Sequence, residues 1–391
     1  MRICLLAHNF RNDNGTGVFA RRLVRGLEEN LGAEVVPLTA LGGGIPAEQT
    51  ILYPSMFKLL FTIPRVRRIV KSCDAVHALD LYPYGIVATL AAYGLKKKII
   101  LTAVGTGSLK VLYHSYPPLT WLARWSYGQA SAVTAISRFT RDAILERVPH
   151  LAVRVINPGI DHERFLGVDN GRAERGEATI LDSTGRSHTV KSLTPYILSV
   201  GALRHRKGYH ISIRAFAKIA KTFPNLKYVI VGKQYGRPYY EKMIYHIRRL
   251  GLEGRVVILD TVRDERIITR LYRGAELFFL FPLPSGYDVE GFGIVFLEAA
   301  ASGLPIVAAR TGGVEDAVDE GRNAILVPAG DLGVYSDSNS SDPFAEAIKA
   351  ILESTALRKR MSEASVEFAA KSRWEARIRE YLDIYRSFLW S

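Results

Sequence analysis

The feature that most constrains this chain is a rhythm: apolar runs of strand length alternate with amphipathic helical stretches, twice over, with a polar break between the two series. The first series reads as strands at Arg2–Ala7, Ala75–His77, Ile99–Ala103, Ala132–Ile136 and Val153–Asn157, with a helix from about Gly17 to Leu31 after the first. The second reads as Tyr196–Val200, Tyr228–Val231, Val256–Leu259, Leu277–Leu280 and Pro305–Ala309. Apolar strands alternating with helices imply parallel sheets covered on both faces. Two series imply two doubly wound α/β domains, which 391 residues can fill. The break from Val168 to Thr194 is polar and rich in Asn-Gly, Arg-Gly and Thr-Gly pairs. The expected division is 1–167 as first domain, 168–194 as linker or insertion, 195–372 as second domain and 373–391 as a last helix. A second polar run, Tyr335–Asp342, reads as a surface loop before a helix starting near Pro343, with Asp342 as its N-cap.

Composition narrows the class. Hydrophobic residues at 48% and charged residues at 23% describe a globular chain. No apolar run approaches the ~18 residues of a membrane span, and the N-terminal run stops at His8, too short for a signal peptide. Cys4 and Cys73 lie in apolar stretches, which suits buried packing in a reducing compartment rather than a disulfide framework. The expected location is cytoplasmic, soluble or peripheral on the inner face of a membrane. The net charge of +14 is uneven, with residues 1–165 holding 20 Lys and Arg against 11 Asp and Glu. That surplus suits an anionic partner, such as a phosphorylated acceptor or an anionic membrane surface. Zinc-finger spacing, RNA-binding aromatic signatures and dense basic repeats are all missing, so no nucleic-acid partner is expected. Phe57 to Lys71 mixes apolar and basic residues as membrane-surface segments do; a partly buried helix, interrupted by Pro64, has the same composition.

The stretch with most chemistry is Glu290-Gly-Phe-Gly-Ile-Val-Phe-Leu-Glu298, running on to Pro305. Ile294, Leu297 and Ala301 share one helical face, so a helix begins near Gly293 and ends at Gly303. In an α/β sheet such a helix start faces the ligand crevice at the strand ends. There the uncovered N–H groups of Gly291, Phe292, Gly293 and Ile294 suit a diphosphate. Glu290, ahead of the helix, can reach a sugar hydroxyl. Glu298, one turn inside, tilts back toward the N-terminus and can accept from a ribose diol.

These residues, with Ala301-Ser-Gly-Leu-Pro-Ile-Val-Ala308 and Gly312-Gly-Val-Glu-Asp316, resemble the family 4 retaining glycosyltransferases of the GT-B fold and their Glu-x7-Glu motif. Asn157-Pro-Gly-Ile-Asp161, Trp374 and Tyr385 extend the resemblance over nearly the whole chain. It implies two Rossmann-like domains facing a central cleft, with the last helix crossing back to the first domain. It also implies a diphosphate clamp after the strand Tyr196–Val200. Here Arg206 and Lys207 match the family's pair, while Ala202 stands where many members have Arg and leaves Arg204 as a candidate substitute. The family's glycine loop falls on Gly15, Thr16 and Gly17, at the donor phosphate or the acceptor.

One departure concerns the sugar. The family's His-Gly after a strand like Ile99–Ala103 is here Val104-Gly105, leaving His77, Thr106 and His114 as candidate acceptor-side substitutes; a lone strand histidine such as His77 is more often packed core. The resemblance implies transfer of a hexose, with retention, from a UDP- or GDP-sugar to a glycan or lipid-phosphate-linked hydroxyl, as in cell-surface polysaccharide synthesis. It needs no cofactor and no essential metal, although Asp288-Val-Glu290 superficially copies a metal-binding Asp-x-Asp. Glu290, Arg206 and Lys207 are then the catalytic set, and loss of Glu290 or Lys207 is expected to abolish transfer with the fold intact. The alternatives are a degenerate partner subunit that binds nucleotide sugar or glycan, and an epimerase of the same fold.

Overall fold

The structure, a computed structural model, describes all residues except 13, 54–57, 59–60, 114–115, 167–178, 284–287, 331–341 and 390–391. The chain forms two compact units, Met1–Gly159 with Trp374–Ser391, and Ile160–Arg373. The first boundary thus falls before residue 167. Ile160 bridges to Arg373 and its N–H donates to Ser372 O at 2.8 Å, which ties it into the second unit.

In the first unit seven parallel strands lie in the order β3-β2-β1-β4-β5-β6-β7. They are β1 Arg2–Asn9, β2 Glu34–Leu41, β3 Gln49–Thr50, β4 Ala75–Leu79, β5 Lys98–Ala103, β6 Ala132–Ala135 and β7 Val153–Val155. Residues 3–7 of β1 are completely buried, as a strand covered on both faces requires. The sequence rhythm does not reveal β2, because Pro37 interrupts it. Proline is tolerated there because β3 pairs with β2 only at Leu38 and Thr39, so the strand has one neighbour at Pro37.

The last helix, Trp374–Leu389, is part of this unit. Trp374, Tyr381 and Tyr385 are buried against the helix Gly15–Leu31, with Phe19 5.7 Å from Trp374 and 5.9 Å from Tyr381, ring to ring. Gly26 lets the helices approach, since a Cβ there would strike Ile378. Each such aromatic buries ~150–250 Å², at about 25 cal/mol per Å², so the helix stabilises the first core.

In the second unit the short strands β8 Ile180–Leu181 and β9 Ser187–His188 form an antiparallel hairpin. Six parallel strands then lie in the order β12-β11-β10-β13-β14-β15. They are β10 Tyr196–Val200, β11 Lys227–Val231, β12 Val256–Leu259, β13 Phe278–Leu280, β14 Ile306–Arg310 and β15 Ala324–Pro328. The hairpin occupies part of the stretch read as a linker. Its polar residues serve its turn: Asp182 accepts from Thr184 N (2.8 Å), Arg186 N (3.0 Å) and His188 Nε2 (2.8 Å). Ser183 N donates to Ile258 O at 2.9 Å, so the hairpin is held to the second sheet. A helix does start at Pro343, with Asp342 accepting from Phe344 N and Ala345 N; residues 335–341 of the expected loop lie outside the described residues.

Both sheets reverse strand order beside their first strand, at β1/β4 and at β10/β13. In open α/β sheets those reversals, at the carboxyl ends, are where ligands bind.

Candidate active site

The β10/β13 reversal gathers Arg206, Lys207, Asp288 and Glu290. After β10 the chain makes a tight turn, His205–Lys207, and enters the helix Tyr209–Ala220 through Gly208. Gly208 has φ 67°, and a Cβ there would overlap Phe281 O, so glycine is required at this crossing of the two strand exits. Leu283 N donates to Arg206 O at 2.7 Å, a second tie between the exits. After β13 the chain runs to Glu290, which is buried. Lys207 Nζ donates to Glu290 Oε2 at 2.5 Å, and Arg206 Nη1 donates to the same oxygen at 3.0 Å. Arg206 Nη1 also reaches Val289 O at 3.4 Å, and its Nε lies 3.7 Å from Asp288 Oδ1. Asp288 and Glu290, the pair that copies a metal motif, thus both lie against Arg206.

Burial pushes the Glu290 carboxyl up, but Lys207 and Arg206 outweigh it and hold the group below its ordinary value. Burial draws the Lys207 ammonium down, with Glu290 opposing. The backbone of Glu290 is fixed as well: Gly313 N donates to its carbonyl at 2.8 Å, and Gly312, at φ 56°, has no room for a Cβ beside that carbonyl.

The helix Ile294–Ala301 follows, with Gly293 at φ 90° as its N-cap. No acceptor among the described residues takes the N–H of Gly291, Phe292 or Gly293. Such uncovered donors at a helix start form an anion site. Phe292 contributes backbone only, since its side chain is in the core. The single apolar face expected for this helix is broader: Phe296, Leu297 and Ala299–Ala301 are buried while Ile294 is half-buried. Glu298 is half-buried, and Tyr272 Oη donates to its Oε2 at 2.8 Å. Burial raises its carboxyl above the ordinary value, with the Tyr272 hydrogen bond opposing. Tyr272, fully buried in the helix Glu265–Arg273, carries no motif that marks it in the sequence. Arg204 is turned elsewhere, its guanidinium 3.1 Å from the centre of the Tyr235 ring.

In the first unit the predicted residues separate. Gly17 N donates to Asn14 Oδ1 at 2.9 Å, and a Cβ on Gly17 would overlap Arg11 O, so Gly17 provides close packing at the helix start. Gly15 is exposed and Thr16 half-buried on the same first turn. His77 is completely buried; its Nδ1 pairs with Tyr385 Oη and its Nε2 with Thr102 Oγ1, both at 2.7 Å. Burial lowers its pKa to about 3. Neutral, with both ring nitrogens committed, it is a core residue tying the last helix to β4 and β5, and no nitrogen is left for an acceptor. Thr106 begins the helix Thr106–Tyr113, half-buried, and His114 lies outside the described residues.

A different residue stands at the carboxyl end of β4. Asp80, at φ 78°, accepts from Leu81 N at 3.2 Å and from Ser108 Oγ. Burial raises its carboxyl to about 7 against several hydrogen bonds that lower it. A Cβ on Gly107 would strike this carboxyl, so Asp80 and the Gly105–Gly107 turn are fitted together. Beside it, His8 at the end of β1 pairs through Nδ1 with Tyr84 Oη at 2.8 Å. The signal was the strand end itself, since Asp80 closes the same run as His77.

The fold and site define a nucleotide-binding α/β class, and the relatives give it a family. The family model described as Glycosyl transferases group 1 matches residues 184–368, and that described as Glycosyltransferase Family 4 matches residues 13–164. The chain belongs to the family 4 glycosyltransferases of GT-B fold. It is 28% identical to a GDP-mannose-dependent alpha-(1-6)-phosphatidylinositol monomannoside mannosyltransferase of Mycolicibacterium smegmatis, over 70% of each chain. It is 30% identical to a D-inositol 3-phosphate glycosyltransferase of Corynebacterium glutamicum, over 60% of this chain and 51% of that one. The matched stretch thus spans about half the length of the D-inositol 3-phosphate glycosyltransferases. Among solved structures, Anabaena HepE in complex with UDP and glucose matches with TM-score 0.74 and 19% identity, covering 99% of this chain and 100% of that one. A glycosyltransferase of Rickettsia africae matches with TM-score 0.76 and 17% identity, covering 99% and 98%.

Proposed function

We propose that this chain transfers a hexose, with retained anomeric configuration, from a UDP- or GDP-sugar to a hydroxyl of a glycan or lipid-phosphate-linked acceptor. The observation that carries the reading is the convergence of Lys207 and Arg206 on Glu290 beside the uncovered helix start at Gly293. A diphosphate entering there meets two cations and several N–H donors, a preorganised field for the charge that grows as the sugar leaves. The acceptor oxygen bonds to the anomeric carbon as the bond from that carbon to the diphosphate breaks, and the acceptor proton passes to the departing phosphate oxygen. Glu290, kept ionised by its two cations, orients the sugar and stabilises positive character at the anomeric carbon, while Glu298, steadied by Tyr272, accepts from the ribose diol. Arg206, Lys207 and the helix start do the neutralising that a metal does elsewhere, so turnover is proposed to be metal-independent and to survive chelator.

The relatives named above support a phosphate-bearing acceptor, since their names carry phosphatidylinositol monomannoside and inositol 3-phosphate. The donor base follows from a thermal-shift comparison of UDP, GDP, ADP and their sugars. A ligand at 100 times its Kd stabilises by ~2.7 kcal/mol, so one nucleotide stands out from the others. No shift with any nucleotide overturns the reading.

A further inference from the structure

Most of the surplus positive charge of the first unit lies away from its strand ends. Between Glu48 and Asp142 the sequence has twelve Lys and Arg against two acidic residues, Asp74 and Asp80. Asp74 accepts from Arg2 N at 2.7 Å, and Asp80 is turned to its helix start. Most of these cations sit on helices, with Lys96 and Lys97 in the turn before β5. The helix Ile63–Lys71 buries Val66 and Val70 and exposes Arg65, Arg68 and Lys71, with Phe61 just before it 85% exposed.

The helix Pro117–Gly128 buries Ala123, Ser126 and Tyr127 and turns Trp121, Arg124 and the half-buried Trp125 outward. An apolar stripe on the outer side of a helix is the reverse of what folding alone produces. Trp121 is 66% exposed, as is Tyr116 at the helix entry. One corner joins the two helices. Tyr93, 62% exposed, lies 5.6 Å from the Trp125 ring, and Arg67 Nη1 donates to Ala91 O at 3.0 Å and to Tyr93 O at 2.7 Å. Lys96 follows, exposed, on the same corner. Scattered exposed aromatics need no explanation, but aromatics set among cations, in a stretch whose two acids are Asp74 and Asp80, do.

We infer that this face, helices Ile63–Lys71 and Pro117–Gly128 with the Tyr93 corner, docks on an anionic lipid bilayer. Tryptophan and tyrosine settle at the headgroup level, and Lys and Arg around them meet anionic lipid at about 1 kcal/mol each. The partner class rests on the reading of a lipid-phosphate-linked acceptor, while the surface owes nothing to the donor-site assignments.

The test is co-sedimentation of the full chain with vesicles of phosphatidylcholine, with or without about one third phosphatidylglycerol. The protein is expected to bind the anionic vesicles, with a blue shift of its tryptophan emission, and to leave them at high salt. Arg65→Gln, Arg68→Gln and Lys71→Gln together are expected to weaken partition on the order of 100-fold, and Trp121→Ser several-fold. All four side chains are exposed, so melting temperature and nucleotide shift stay at wild-type values. Equal binding to vesicles without phosphatidylglycerol, undiminished binding by the triple variant, or tighter binding to duplex DNA at the same salt overturns the proposal. Nucleotide shift without vesicle binding sinks this inference alone, and vesicle binding without nucleotide shift sinks the transferase reading alone.

Discussion

The two units use one topology in opposite ways. At β10/β13 the strand ends carry two cations on a buried carboxylate, next to a helix start with uncovered N–H groups. At β1/β4 the corresponding position carries Asp80, whose carboxyl burial raises to about 7, and His8, whose pKa burial lowers. One edge gathers cations on a carboxylate, while at the other burial disfavours the charged forms of a carboxyl and an imidazole. The comparison teaches that chain-wide charge is a poor guide to site charge. In the basic unit most cations lie on helices, and Arg11, just after β1, stands near the strand edge.

The largest effect that could break this contrast is at the pair of Lys207 and Glu290. Breaking a buried ion pair costs up to about 3–5 kcal/mol where the remaining charge is stranded. In Lys207→Ala the Arg206 guanidinium still donates to Glu290, so the variant is expected to lose less stability than that, as well as transfer. This replaces the expectation from the sequence that the variant keeps its fold. Glu290→Gln keeps the volume but leaves the buried Lys207 without its carboxylate, and is expected to lose transfer by at least about 100-fold with the larger loss of stability. Denaturant unfolding beside radiolabelled transfer decides the matter; a wild-type midpoint for Glu290→Gln would mean the pair is not buried as described.

Asp80 gives the next effect. Its carboxyl is raised from 3.8 to about 7, so the fold favours the protonated form. The stability this group contributes is complete below its unfolded value and is lost as pH rises through about 7. Asp80→Asn is expected to flatten that decline, measured as unfolding midpoint against pH from 4 to 8 (about the two ends of the titration). An unchanged profile would make the first edge as charged as the second and dissolve the contrast.

Tyr272→Phe sharpens it most gently. Removing the hydroxyl takes one hydrogen bond from Glu298, worth ~0.5–1.5 kcal/mol, and is expected to weaken nucleotide binding by a few-fold in calorimetric titration. The loss disappears with 2′,3′-dideoxy nucleotides if Glu298 holds the ribose. A loss that persists with them removes Glu298 from that role.

The sequence by itself determined the elements and their kind. Tyr196–Val200 and Val256–Leu259 are strands to the residue, the helix after Glu290 starts where the glycines end, and Asp342 caps its helix. Each is a local signal, periodicity or capping, written within a few residues. The tertiary structure decided what lies far apart in the chain. Lys207 and Glu290 meet across 83 positions, and only the pairing of β10 with β13 brings their strand exits together. His77 and Asp80 close one short run, yet the first points into the core and meets Tyr385 across 308 positions, while the second ends the strand at the ligand edge. Alternation along a strand sets which residues share a face, but what covers each face depends on helices that arrive later in the chain. That is why the histidine could be read both as a candidate and as core, and the aspartate passed unnoticed.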